Sequence, residues 1–201
     1  MKLFMFYVGG RCKNSNIELH DMRFSIADSV EDCYPDLRAQ WWGDPESLHL
    51  DCWGELKQVD GFDISISEEV SGQEFGNVYF VNLGGIRFGE FSELHRNVLI
   101  VARDEAEAFA RAKEQVSDWK IPHRDNLFEL EQIVDLSKDV RDKGPNILLS
   151  PAAERGPFHY QTGFLPIGRE SPKFAVFDAQ IFGLEHAENP IADPAQALKG
   201  P

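Results

Sequence analysis

Nowhere does the 201-residue chain hold an apolar run of about 18 residues, the length that a membrane-crossing helix needs, so no membrane span is expected. Basic residues are in short supply too. Lys and Arg number 20 against 34 Asp and Glu, for a formal net charge of −14. At long range such a charge repels a nucleic-acid backbone or an anionic membrane surface, and no local run of Lys or Arg offsets it. Neither is expected as a partner. The three cysteines, Cys12, Cys33 and Cys52, are odd in number and confined to the first part of the chain, which argues against a disulfide framework. A phosphate-cradling loop is also missing: Gly9-Gly10-Arg11 follows an apolar run, but no helix pattern opens directly after it. Ser150, Ser171 and the cysteines have no neighbouring base and no nucleophile-elbow pattern, so nucleophilic catalysis has no support. Met1–Val8 is apolar but too short for a signal segment and lacks a cleavage site, which leads to a cytoplasmic expectation.

What the chain does have is a repeated pattern. Gly9-Gly10 and Glu18-Leu19-His20 recur at a constant offset as Gly84-Gly85 and Glu93-Leu94-His95, followed by Ala27/Ala102, Val59/Val134 and Asp60/Asp135. A one-residue slip at the loop Gly43-Asp44-Pro45 brings His49/His123, Asp51/Asp125, Glu55/Glu129 and Leu56/Leu130 into line. An ordered series of this length reads as a duplicated unit.

The stretches Phe6-Tyr7-Val8-Gly9-Gly10, Asn16-Ile17-Glu18-Leu19-His20-Asp21 and Leu48-His49-Leu50-Asp51 resemble the bacterial family described as domain of unknown function 1543, found in one or two copies per chain. The resemblance covers roughly residues 1–140. It is weaker in the second copy, where Arg96 stands in place of Asp21 and Arg124 in place of Leu50. It implies an architecture and no activity.

Leu3–Val8 is a continuous apolar run, as in a strand covered on both faces. Gly9-Gly10 reads as a tight turn that ends it. Met22, Phe24 and Ile26 alternate with polar residues as a half-buried strand does. Asp28 and Glu31 suit a capping box for a helix that carries Val30, Cys33, Tyr34, Leu37 and Trp41 on one stripe, with Pro35 disturbing its start. In the second copy Asp104 and Glu107 cap a helix over Glu105–Asp118, with Phe109, Ala112, Val116 and Trp119 inward. Leu48–Trp53 and Gly54–Ile66 read as further strand, turning at Asp60-Gly61. Beyond Gly144 the pattern predicts a short strand at Ile147–Leu149, a hairpin around Tyr160–Phe164, a last strand at Lys173–Phe182, and a frayed tail past His186.

The expected fold class is therefore α+β. Two tandem diverged strand–strand–helix–strand repeats, at 1–70 and 76–140, would be related by a pseudo-twofold and share one core. A mostly β or irregular extension at 144–201 would follow.

Four of the six histidines fall in the repeat, each two residues from a carboxylate: Glu18 with His20, His49 with Asp51, Glu93 with His95, and His123 with Asp125. Along an extended strand, residues two apart point to one face, so each pair presents an imidazole beside a carboxylate. His20 is in phase with Met22, Phe24 and Ile26, which places it at the core margin. The bland reading is that these pairs tie down loops by hydrogen bonds. The sharper one is a metal or acid–base site, because nitrogen and oxygen ligands suit zinc and other divalent metals. A divalent metal is the only cofactor this pattern suggests. Gly9, Gly10, Trp41 and Trp42 are kept as ligand-binding candidates, the tryptophans as a stacking platform.

Two functions follow. The first is a ligand-binding or interaction protein whose site lies between its two repeats. The second is a metal-dependent hydrolase or other metal enzyme using the histidine–carboxylate set. A third reading, a homodimerising structural module, needs an exposed edge or apolar patch. The sequence leaves open whether the protein is an enzyme, and names neither the small ligand nor the protein partner.

Overall fold

The computed structural model describes residues 1–69, 74–86, 89, 91–114 and 129–168. The fold is α+β, as the sequence predicts. Strand β1 (Lys2–Gly10) is the inner strand of a four-stranded antiparallel sheet, flanked by β2 (Leu19–Ala27) and β3 (His49–Glu55); β10 (Gln161–Pro166) adds to the far edge of β3. The apolar run predicts cover on both faces, and both are covered. Phe4, Phe6 and Val8 point to one side, where they pack with Leu50, Trp53, Cys33, Leu37 and Trp41. Leu3 and Met5 point to the other.

Gly9-Gly10 does not turn the chain. Both residues lie within β1, Gly9 paired to His20 and His49 and Gly10 to Leu19. The turn reading fails because what requires glycine here is crowding over the strand, not backbone reversal.

Between β2 and β3 the chain forms a short 3₁₀ turn (Glu31–Cys33) and helix α1 (Tyr34–Gln40), with Pro35 in its first turn, where a missing N–H costs nothing. Neither the 3₁₀ turn nor α1 has a side-chain cap at its N-cap residue, Val30 or Cys33. Ser29 Oγ accepts from Asp32 N–H and donates to Asp32 Oδ2, whereas Asp28 pairs with the chain's amino terminus at 2.9 Å. Beyond β3, β4 (Gln58–Val59) and β5 (Phe62–Ser67) form a hairpin through Asp60 and Gly61, both at positive φ. Positive φ at both central residues suits the two-residue hairpin turn whose twist matches its strands.

A second sheet holds β6 (Asn77–Ile86) between β7 (Glu93–Ala102) and β8 (Glu129–Asp135). Its register parallels the first: Gly84 faces His95 as Gly9 faces His20, and each inner strand meets its third strand across a bulge. The third strands, however, are not spaced as the sequence matches suggest. Glu129, not His123, lies opposite Gly84 where His49 lies opposite Gly9, and Asp135, not Glu129, takes the place of Glu55. An extra stretch of chain before β8 shifts the offset, and sparse identities there could not reveal it.

Helix α2 (Glu105–Glu114) carries the predicted cap, with Asp104 Oδ1 accepting from Glu107 N–H at 2.8 Å. It buries Ala108 and Ala112, with Phe109 alongside. The helix's expected continuation with Val116 and Trp119, the strand at Lys173–Phe182 and the tail past His186 lie outside the described residues.

Helix α3 (Leu136–Asp142) follows β8, and β9 (Asn146–Pro151) pairs with β5. The Tyr160–Phe164 segment is no hairpin; it enters the edge strand β10, which pairs with β3. The chain beyond Gly144 is thus woven into strands of the first unit.

The two larger sheets meet through a middle core that joins Leu3, Met22 and Phe24 of one to Val78, Phe80 and Val101 of the other, with Leu136 and Val140 of α3. The Phe24 and Phe80 rings stand 5.2 Å apart. Each sheet also has its own outer cluster against its helix, so the units share one core layer and keep one each.

Candidate functional site

The histidine–carboxylate set is assembled over Gly9. This residue pairs with His20 on one side and His49 on the other, and directly opposed residues of antiparallel strands share a face. Both imidazoles therefore lean over the same glycine. A Cβ there would stand 2.6 Å from His49 Nε2, 2.9 Å from Asp51 Oδ2 and 2.9 Å from His20 Cδ2. Asp51 joins them because β3 bulges at that point: Tyr7 pairs with Cys52 and Val8 with Leu50, leaving Asp51 as the extra residue. A bulge frees a side chain from its rung and re-aims it. Glu18 comes from the loop before β2.

The four side chains converge closely. His20 Nε2 lies 3.1 Å from Asp51 Oδ2 and 3.9 Å from Glu18 Oε2; His49 Nε2 lies 3.4 Å from Asp51 Oδ1 and 3.6 Å from Glu18 Oε1. Ligand atoms of Glu18, His20 and His49 all fall within 4.8 Å of one another. The side chain of His49 is 2 % exposed, against 43 % for Glu18 and 33 % for His20, so the set has a buried floor and an open side.

His49 is held from behind. Its Nδ1 lies 2.9 Å from the carbonyl of Ser47. That carbonyl is fixed in turn by a 3₁₀ turn (Pro45–Ser47) capped by Asp44, where Ser47 Oγ accepts from Arg11 N–H and donates to the Asp44 carbonyl, both at 2.8 Å. The opposite nitrogen, Nε2, is buried with no hydrogen-bond partner, and so is Asp51 Oδ2, whose approach to His20 is close but lacks hydrogen-bond geometry. Burial pushes the Asp51 carboxyl above its ordinary range, while the flanking His49 and His20 pull the other way. The Tyr7 ring stacks on His20 with centroids 5.1 Å apart, and its hydroxyl is likewise raised by burial and by Asp51. The Phe164 ring covers His49 at 4.3 Å.

Glu18, His20, His49 and Asp51 are thus brought together. In the second unit His95 Nε2 stands 3.8 Å from Glu93 Oε2, while His123 and Asp125 lie outside the described residues. His20 is in phase with Met22, Phe24 and Ile26 as expected, but sits beyond the packed core, a third exposed. Gly10 gives room to Trp41 and Ser47, whose atoms would lie 2.7 and 2.9 Å from a Cβ. Trp41 itself is a packing residue, buried with Nε1 donating to the Asp44 carbonyl, and Trp42 stacks on it half-exposed. Sequence reasoning missed Tyr7, Ser47 and Phe164. The first stands two residues before Gly9 and could have been placed on its face by strand period. Nothing along the chain points to Phe164.

His20 also opens onto a cavity of about 660 Å³ between the two larger sheets, lined by Tyr7, Met22 and Phe24 on one wall and Phe80, Asn82 and His95 on the other. Among the described residues, no helix is long and apolar enough to cross a membrane.

The family described as Domain of Unknown Function (DUF1543) matches residues 15–66, the stretch that carries Glu18, His20, His49 and Asp51. No curated protein matches the chain. Among solved structures, the crystal structure of protein Il1583 from Idiomarina loihiensis is similar, at 30% sequence identity and a TM-score of 0.57. The match covers 83% of this chain and 97% of that one. With the family match centred on the strands that hold the two imidazoles, and likeness to Il1583 across most of both chains, the protein belongs to the DUF1543 family.

Proposed function

We propose that the protein binds a divalent metal ion through Glu18, His20 and His49, with Asp51 beside them, and uses it in metal-assisted hydrolysis. The observation that carries this reading is the buried His49 Nε2, without a hydrogen-bond partner and facing two carboxylates. A carbonyl only accepts, so Nδ1 must carry the proton that bonds Ser47, and in a neutral ring Nε2 presents a lone pair. A lone pair aimed at carboxylate oxygens is repelled unless a cation lies between them. Imidazoles that ligate metals are oriented in this way, through a bond from the far nitrogen. Two histidines and one carboxylate suit zinc, and the exposed Glu18 side leaves room for a metal-bound water.

The competing account is a protonated His49 paired with Asp51 and Glu18. Elemental analysis and calorimetric titration with Zn²⁺ and Mn²⁺ separate the two. Near-stoichiometric binding that is lost in His20→Ala and His49→Ala supports the metal centre. No binding, with both variants merely less stable, sinks it.

A second reading, a ligand-binding role between the two units, is supported by the cavity that both sheets line. A cytoplasmic location belongs to the same proposal, since Cys12, Cys33 and Cys52 are all free thiols, as a reducing compartment leaves them.

A further inference from the structure

Opposite Tyr7, the second large sheet presents a row of carboxamides. Asn82 pairs with Asn97 on β7 and with Gln132 on β8, so the three lie on adjacent strands in one rung and share a face. All three line the cavity. Asn82 Nδ2 donates to Asn97 Oδ1 at 2.7 Å. That bond uses one donor and one lone pair, and each carboxamide offers two donors and two acceptor positions, so the row keeps spare capacity of both kinds.

The matching rung of the first sheet is Tyr7 opposite Met22. One wall thus gives a flat ring and a thioether, and the carboxamide row of the other gives donors and acceptors without charge. The Arg23 guanidinium in the lining is engaged by Asp21 at 2.7 Å, and Asp139 adds a further negative charge. The lining histidines stand by carboxylates as well, His20 by Asp51 at 3.1 Å and His95 by Glu93 at 3.8 Å, so each basic group that an anion would meet already has an acidic neighbour. A hydroxyl, which donates and accepts at once, matches a carboxamide, and the C–H face of a sugar ring matches an aromatic one. The volume lies within the range of roughly 300–1,000 Å³ common for ligand sites, and suits one or two sugar rings.

We propose that the cavity between the sheets binds a neutral carbohydrate, one sugar face against Tyr7 and its hydroxyls on Asn82, Asn97 and Gln132. This inference gives the inter-sheet site a ligand class, and it touches the metal centre only through His20.

The test is saturation-transfer NMR on the full chain with methyl glucoside, N-acetylglucosamine, cellobiose and maltose at millimolar concentration, with adenosine monophosphate as the anionic comparator. Transfer to at least one neutral sugar is expected. Affinity should fall at least tenfold in Asn97→Asp and Gln132→Glu, near-isosteric changes that leave Tm in place. No transfer to any of the four sugars overturns the proposal. So does binding that survives both cavity variants, or a preference for the nucleotide. Metal titration of the same proteins separates the two readings: sugar binding without metal removes the metal centre alone, and metal binding without sugar removes this proposal alone.

Discussion

The backbone of Ser47 sets the tautomer of His49. The carbonyl lies 2.9 Å from Nδ1, two residues earlier in the chain, and leaves Nε2 aimed at Glu18 and Asp51. Orientation by a main-chain group predicts a specific pattern of loss. Ser47→Ala keeps the carbonyl and forfeits only the Oγ bonds to Arg11 and Asp44, so it should cost about 1–2 kcal/mol of stability with metal affinity changed a few-fold at most. His49→Ala should cost at least a hundredfold in metal affinity. Calorimetric titration and thermal melts of both variants check this, and equal metal loss in the two would overturn the assignment.

Gly9→Ala tests the crowding directly. The new methyl would meet His49 Nε2 at 2.6 Å and Asp51 Oδ2 at 2.9 Å, so the imidazoles must part. The expected cost is about 1–3 kcal/mol, as for other overpacked sites, with metal binding lost while the far-UV spectrum persists. Retained metal binding would show that the side chains over Gly9 are not the ligands.

Asp60 ties the hairpin of the first unit to the second. It pairs with Arg111 of α2 at 2.7 Å and accepts from Val101 N–H at 3.1 Å, with its own side chain 16 % exposed. Asp60→Ala should destabilise by about 2–3 kcal/mol, because it strands a part-buried guanidinium and an amide and places alanine at positive φ. Asp60→Asn, which tolerates that φ and keeps an acceptor, should cost about half as much. Urea unfolding of the two variants measures the difference; equal losses would refute a role for the charge-independent bond to Val101.

Burial lifts the Cys33 thiol to about 11, against an ordinary 9.0. Below pH 9 the thiol is protonated in both states, so its stabilising share is complete. Between pH 9 and 11 the unfolded chain ionises first, and that share is lost as pH rises through the folded value, on the order of 2–3 kcal/mol. Urea unfolding at pH 8 and 10.5 should show a steeper decline for the natural protein than for Cys33→Ala. Parallel declines would mean that the thiol does not report its burial.

The sequence made the pairs visible and hid their meeting. Glu18 with His20 and His49 with Asp51 are legible because strand period places them side by side. That both pairs meet over Gly9 depends on the register of three strands and on a bulge at Asp51, and neither leaves a composition signal. The glycine pair was open to a turn reading because glycine serves turns and close approach alike, and only the neighbours across the sheet decide between them. Asp28, the expected cap, pairs instead with the chain amino terminus, and α1 begins only at Tyr34, with no side-chain cap at Cys33. The cap of α2 and its course as far as Glu114 follow the sequence pattern, since cap and apolar stripe are local.

The edge strand β10 carries a consequence for how the protein is made. Glu18, His20, His49 and Asp51 all emerge early in synthesis, yet Phe164, which roofs His49, and Ile167 and Gly168, whose N–H groups bond the Leu48 carbonyl, come more than a hundred residues later. Until β10 docks, the nascent chain carries its candidate ligands beside an unpaired edge of β3. The order of synthesis thus separates a stage at which ions can reach His49 freely from one at which access is restricted to the open side near Glu18.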